Sequence, residues 1–177
     1  MDLPISTKTL VLRSFREADL DGFLAYRNDP DVARFQAWDG ISRDAAAAFL
    51  LDHRQSSVVP PGQWQQIAIA LCPGDTLIGD IGLCLRADGC SAELGFTVAA
   101  RHQRLGLARE ALVGLIDALF AHTQLERLEA VTDTRNLSAM ALLARLGFEV
   151  YSTASVVLKG AGCEEHTYTL SRVAWTA

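Results

Sequence analysis

The spacing of hydrophobic positions along this 177-residue chain changes several times, and each change predicts an element. Leu10 and Leu12 alternate with Val11 and Arg13, the period-two signature of a short first strand. Leu20, Phe23, Leu24 and Arg27 then fall at helical intervals, and the run stops at Asn28-Asp29-Pro30. Asp29 before Pro30 is an N-cap and first-turn pair, which predicts a further short turn. After a loop holding Trp38 and Gly40, Ser42 is placed to cap a second helix through Ala45, Phe49 and Leu50. Val58-Val59-Pro60-Pro61-Gly62 breaks the pattern and predicts a loop.

Three strand patterns follow. Trp64 to Leu71 puts Gln65, Ile67, Ile69 and Leu71 on one face, and Pro73-Gly74-Asp75 is turn chemistry. Leu77, Gly79, Ile81, Leu83 and Leu85 alternate with Ile78, Asp80, Gly82 and Cys84, a strand at least half-buried. Asp88-Gly89 signals a hairpin. The third segment places Ala92, Leu94, Phe96 and Val98 opposite Glu93, Gly95 and Thr97. Gly106 to His122 is the clearest helix: Ala108, Ala111, Leu112, Leu115, Ile116 and Leu119 form one stripe, with Arg109, Glu110 and Asp117 off it. Leu128, Ala130 and Thr132 predict another strand. Asn136 opens a helix through Met140, Leu143 and Ala144, with Gly147 at its C-cap. Phe148 to Leu158 and His166 to Ser171 read as two strands around a Lys159-Gly160-Ala161-Gly162 turn. The expected fold is mixed α/β (α+β): one domain over residues 1–177, with a central, mostly antiparallel sheet and about four helices.

Composition narrows the function classes. Half the residues are hydrophobic and 21% are charged, as in ordinary globular chains. A net charge of -5 argues against nucleic acid as a partner and mildly favours a cationic one. Cys72, Cys84, Cys90 and Cys163 form no C-x-x-C pair, so neither a zinc site nor a redox dithiol is expected. His53, His102 and His122 are scattered, without the spacing of a metal site or catalytic triad. No secretory signal and no membrane-length apolar run is visible, which points to the cytoplasm.

Candidate chemistry centres on Val98 to Ala108, where a buried strand enters a basic, glycine-containing loop and then the strongest helix. Unpaired amides and the positive dipole end at a helix start suit a diphosphate. Gly106 and Ala108 leave that backbone unobstructed, and Arg101 and Arg104 add charge. Read alone, the same segment also fits a plain strand-to-helix turn. It is neither a G-x-G-x-x-G loop nor a P-loop.

Gln103-Arg104-Leu105-Gly106-Leu107-Ala108 resembles the Q/R-x-x-G-x-G/A acetyl-CoA motif of the GNAT superfamily. Thr9 to Arg13 with Phe15-Arg16, Ala92 to Phe96, and Asn136 to Ala139 with Leu146-Gly147-Phe148 agree in order and distance with other segments of that family. Together they look like the branch of RimJ/RimL-type ribosomal-protein N-acetyltransferases, over about Thr7 to Tyr151. His102, Gln103 and Arg104 depart from that branch, which often has aromatic residues and glycine there.

The resemblance implies splayed fourth and fifth strands around the pantetheine arm of acetyl-CoA. Phe96, Thr97 and Val98 would bond its amides, and Gln103 to Ala108 would hold the pyrophosphate. It implies that Asn136 bonds the pantetheine and that Ser138 lies near the sulfur as proton donor; Asn136 is equally an excellent helix cap. No metal is implied, and homodimers are common in the family. The expected acceptor is an amine, either a protein N-terminus or a small molecule.

An attacking amine must be neutral, so the site needs a base, an oxyanion donor and a route for protonating the thiolate. Glu93 is the candidate base, with a solvated or salt-bridged carboxylate as the other reading. Trp38 either lines the acceptor cleft or is a core-edge aromatic. Where many family members carry a tyrosine, this chain has Leu143, so that helix supplies no tyrosine acid. Two other classes stay open at this point: a CoA-binding module without turnover, and an unrelated α/β ligand-binding domain.

Overall fold

The computed structural model describes residues 2–54 and 60–176, so Val58 and Val59 of the expected loop lie outside the described residues. Eight strands form one sheet: β1 (Ile5–Ser6), β2 (Leu10–Arg13), β3 (Trp64–Leu71), β4 (Leu77–Leu85), β5 (Ser91–Val98), β6 (Arg127–Asp133), β7 (Glu149–Leu158) and β8 (Ala161–Ser171). Their spatial order is β1-β2-β3-β4-β5-β6-β8-β7. Every neighbouring pair is antiparallel except β5 with β6. The helices are α1 (Leu20–Arg27), α2 (Pro30–Ala33), α3 (Arg43–Asp52), α4 (Leu107–His122), α5 (Leu137–Arg145) and α6 (Arg172–Thr176).

Caps explain several boundaries. The Asp29 side chain accepts from the Asp31 amide, Ser42 from Ala45 and Asn136 from Ala139, each satisfying an otherwise orphaned donor. The expected short turn at Asp29-Pro30 is α2, while β1 and α6 were not anticipated because each is too brief to show periodicity. The final turn is also tighter than expected. Lys159 (φ 52°) and Gly160 (φ 77°) alone reverse the chain, and β8 starts already at Ala161.

Helices cover both faces of the sheet. On one, Leu112, Leu115 and Ile116 of α4 pack with Leu12, Ile67, Ile81, Leu94 and Leu128, and α5 adds Leu143 and Leu146. Each such fully buried side chain contributes roughly 1.5–3 kcal/mol. On the other, α1 to α3 enclose Phe15, Phe23, Tyr26 and Leu50 against Ala68. Phe23 stacks on Phe49 with ring centroids 5.1 Å apart. Burial on both sides explains why β4 is buried throughout Leu77–Cys84 rather than alternating.

Two features fix β4 against its surroundings. A Cβ on Gly79 would lie 2.1 Å from the Thr97 carbonyl oxygen, so only glycine lets β4 and β5 approach this closely. Beside it, buried Asp80 accepts from Tyr26 Oη at 2.7 Å and from Arg27 Nη2 at 2.8 Å, pinning α1 to the sheet. Burial, and then the neighbouring Asp80 carboxylate, raise the Tyr26 pKa well above its ordinary value, so the phenol stays a donor.

Candidate active site

A break in the sheet makes the site. β5 and β6 pair only at Ser91–Arg127, Ala92–Leu128 and Glu93–Glu129. Beyond that last rung both strands continue, but each is held by its other neighbour. β4 stays paired with β5 to Val98, and β8 with β6 to Asp133. Backbone groups of two central strands therefore face an opening instead of each other. A cavity of about 530 Å³ lies along the free end of β5 at Phe96, Thr97 and Val98, lined from one side by Asp31, Val32, Phe35 and Gln36 and from the other by the start of α4 and one face of α5.

The loop after β5 is shaped in advance. The Gln103 side chain donates to the Val98 carbonyl at 2.9 Å. Arg104 (φ 61°) and Gly106 (φ 80°) both adopt left-handed conformations, which turn successive amides toward one side. Unlike α2, α3 and α5, α4 has no side-chain cap. Among the described residues, the amides of Arg104, Leu105, Gly106, Leu107, Ala108 and Arg109 donate to no other protein group. Arg104, Gly106, Ala108 and Arg109 line the cavity, whereas the Leu105 side chain points outward, 65% exposed. Leu107 packs on the main core and anchors the first turn.

The opposite wall comes from the β6–α5 turn. Buried Asp133 accepts from the Arg135 amide at 2.8 Å and from both sides of its guanidinium at 2.9 and 2.5 Å. Hydrogen bonding from Arg135, outweighing burial, holds the Asp133 carboxyl down to about 2. The turn so fixed presents Asn136 and exposed Ser138 to the cavity. Asn136 uses its Oδ1 on Ala139 and has its amide nitrogen to spare. Leu143 is buried in the core, as its side chain requires.

Of the residues singled out in the sequence, Phe96, Thr97, Val98, Gln103, Arg104, Gly106, Ala108, Asn136 and Ser138 meet at this cavity. Glu93 stands apart from that lining, on the last closed rung of β5 and β6. Its carboxylate accepts from Arg86 Nη2 at 2.5 Å. Burial raises its pKa, Arg86 opposes this, and Glu129 and Glu165 raise it further; the net direction is upward. Trp38 is not in the lining either. Its ring lies 4.4 Å from the Arg27 guanidinium, beside the aromatic cluster of α1 and α3.

Sequence reasoning missed α2's share of the wall and two cations, Arg109 and Arg145. Arg13, Arg27, Arg86 and Arg135 are tied to carboxylates elsewhere. Arg104, Arg109 and Arg145 form no ion pair among the described residues, and Asp31 is the lone carboxylate of the lining. A chain of net charge -5 thus gathers free positive charge at one cavity. Burial and the adjacent Arg101 lower the His102 pKa, so its Nε2 remains neutral and accepts from Arg101 Nε at 3.0 Å. Among the described residues no group of His, Cys, Asp or Glu could hold a metal ion, and no helix is long and apolar enough to cross a membrane.

The same architecture recurs in known proteins. The chain is 28% identical over 144 residues to the N-acetyltransferase p20 of Bacillus licheniformis, covering 81% of this chain and 80% of that one. It superposes with a TM-score of 0.80 on spermidine N-acetyltransferase from Vibrio cholerae in complex with CoA and spermine, at 18% identity over 95% of this chain and 98% of that one. With RimL, a ribosomal L7/L12 alpha-N-protein acetyltransferase in complex with CoA, the TM-score is 0.79 at 17% identity, over 95% and 96% of the two chains. Residues 9–149 match the acetyltransferase (GNAT) domain model, which spans the opened strands, the uncapped helix and the Asn136 turn alike. With that match extending over most of its length, this N-acetyltransferase chain belongs to the GNAT family.

Proposed function

We propose that the β5–β6 opening binds acetyl-CoA, with its diphosphate on the Arg104–Arg109 amides and its pantetheine arm between the strands. The observation that carries this is the uncapped start of α4: its amides have no protein acceptor and its neighbours Arg104, Arg109 and Arg145 have no ion-pair partner among the described residues. The volume suits such a ligand, since small-molecule sites fill roughly 300–1,000 Å³. Backbone groups of Phe96, Thr97 and Val98 would bond the pantetheine amides, with the Val98 carbonyl shared with Gln103. The spare Asn136 amide nitrogen would donate from the other side.

In this reading Glu93 takes a proton from the acceptor ammonium, directly or through one water, and the neutral amine attacks the thioester carbonyl. Its raised pKa and its place at the foot of the opening support that role. A backbone N–H of β5 facing the gap stabilises the oxyanion. The C–N bond forms, the C–S bond breaks, and the proton that the nitrogen sheds on becoming an amide passes through water, with the Ser138 hydroxyl as relay, to the departing thiolate. Trp38 would border the acceptor side.

The acceptor in this proposal is a cationic primary amine. Glu129 and Glu165, from β6 and β8, lie close enough to Glu93 to raise its pKa, so that three carboxylates outnumber the Arg86 and Arg127 cations beside them and favour further positive charge there. The fold alone is compatible with both a polyamine and a protein N-terminus, because the two structural neighbours differ in just this respect. The RimJ/RimL branch remains our preferred placement. We further propose one domain spanning 1–177, acting in the cytoplasm without nucleic-acid or membrane partners, with a homodimer as an assembly the family makes natural. Free thiols at Cys72, Cys84, Cys90 and Cys163 suit a reducing compartment.

The test is incubation with acetyl-CoA and a panel of spermidine, a serine-initiated peptide, an aminoglycoside and free amino acids, read as thiol release and as the mass of one acetyl group added. Thiol release with one panel member is the expected result. Acetyl-CoA binding without any release would instead mark a CoA-binding module, and no binding would sink the placement.

A further inference from the structure

The far end of the β7–β8 hairpin is an overhang. β8 pairs with β6 only as far as Asp133–Glu165, supplemented by the Thr134 amide on the Glu164 carbonyl at 2.9 Å. Beyond that contact the three outer rungs, from Val156–Cys163 to Leu158–Ala161, pair β7 and β8 with each other, with the Cys163 thiol beside Asp133 as a further tie to β6. A two-stranded ribbon of this kind is marginally stable in water, so its position depends on what its tip touches.

That tip carries Lys159. Its Nζ donates to the Ala33 carbonyl at 2.8 Å and pairs with Asp39 Oδ1 at 2.6 Å. The side chain is 22% exposed, although Asp39 is 78% exposed. Ala33 ends α2, and the same helix with the residues after it contributes Asp31, Val32, Phe35 and Gln36 to the cavity wall. One lysine therefore ties the ribbon to the element that bounds the active-site opening. Lys159 also holds a left-handed conformation that costs a side-chain-bearing residue about 1 kcal/mol or more. The turn itself would be served better by asparagine or glycine. Lysine is the poorer choice for the turn and the right one for the tether.

We propose that Lys159 is a positioning residue for the acceptor amine: by docking the ribbon on α2 it builds the side of the passage through which the amine reaches the thioester. This rests on the acetyltransferase reading of the cavity. In the proposed placement acetyl-CoA lies along α4 and α5, across the same cavity from the α2 wall, so the tether touches none of the groups that would hold it.

Lys159→Asn separates the two roles, because asparagine keeps the turn and removes the tether. The expected result is a rise of about tenfold in KM for the amine, as befits loss of a charge-assisted hydrogen bond. The KM for acetyl-CoA and kcat should stay within about twofold of the unmodified enzyme. The probe is spermidine or the serine-initiated peptide, whichever the unmodified enzyme acetylates. Amide hydrogen exchange at 161–164 should quicken, and Lys159→Arg should restore both values. Should Lys159→Asn fold poorly, Asp39→Asn weakens the same tether from an exposed position. An unchanged amine KM, or an acetyl-CoA KM that rises equally, overturns the proposal. Failure of the unmodified protein to acetylate any panel amine would bring down the transferase reading and this proposal with it.

Discussion

In the proposed mechanism, Glu93 and Gly106 divide the residue-scale chemistry between proton transfer and phosphate binding. Glu93→Gln keeps the shape and the Arg86 contact while removing the base, so kcat should fall by roughly 100-fold or more with the acetyl-CoA KM unchanged. In the unmodified enzyme the base works only when ionised. Since burial and two neighbouring carboxylates push its pKa upward, kcat/KM should decline as pH falls through a point above the ordinary carboxylate range, and Glu93→Gln should abolish that limb. Steady-state thiol release across pH checks both. Gly106→Val meets no steric obstacle, for a Cβ there has nothing within 4 Å. Its penalty comes from φ 80°, and the strained loop should bind acetyl-CoA about tenfold more weakly, as calorimetry would register. The motif pointed to Gly106, which does line the cavity, whereas Glu93 was singled out from its strand face and stands outside the lining. Arg109 and Arg145 were not legible: nothing in their spacing says that two helix faces converge on one cavity.

Elements show the same contrast between local and distant information. Ser42, Asp29 and Asn136 announced their helices because a cap is a local event, readable over three residues. Strand β1 escaped notice because two residues are too few to show a period, and the outer part of β8 because Gly162, Glu164 and Glu165 give it no apolar alternation. Asn136→Ala tests an element directly. It removes the cap of α5, which typically costs about 1 kcal/mol, and it also removes the spare amide group aimed at the opening. Thermal melting should show the first loss without ligand, and the shift on adding acetyl-CoA should shrink as well. A residue serving only as a cap would lower the melting temperature and leave that shift intact.

At the scale of the whole molecule, the succession of strands and helices along the chain followed from alternation and turn chemistry, but the spatial strand order, the parallel β5–β6 pairing and its early termination did not. Hydrophobic period is silent on which strand lies beside which. Here the resemblance to a family supplied the splay, and the register locates its foot at Glu93 and Glu129. A ligand that touches both margins stabilises the folded state by mass action. Acetyl-CoA at about a hundred times its dissociation constant should add roughly 2.7 kcal/mol to the unfolding free energy, measurable by urea titration. Seen mechanically, β1–β5 and β6–β8–β7 are two leaves joined by three rungs and a shared core underneath. Such a hinge is quietest when something rivets its open side. The enzyme's slow breathing should therefore be damped in its loaded form across both leaves, and regained once spent coenzyme departs, so that turnover paces the stiffness of the protein as a whole.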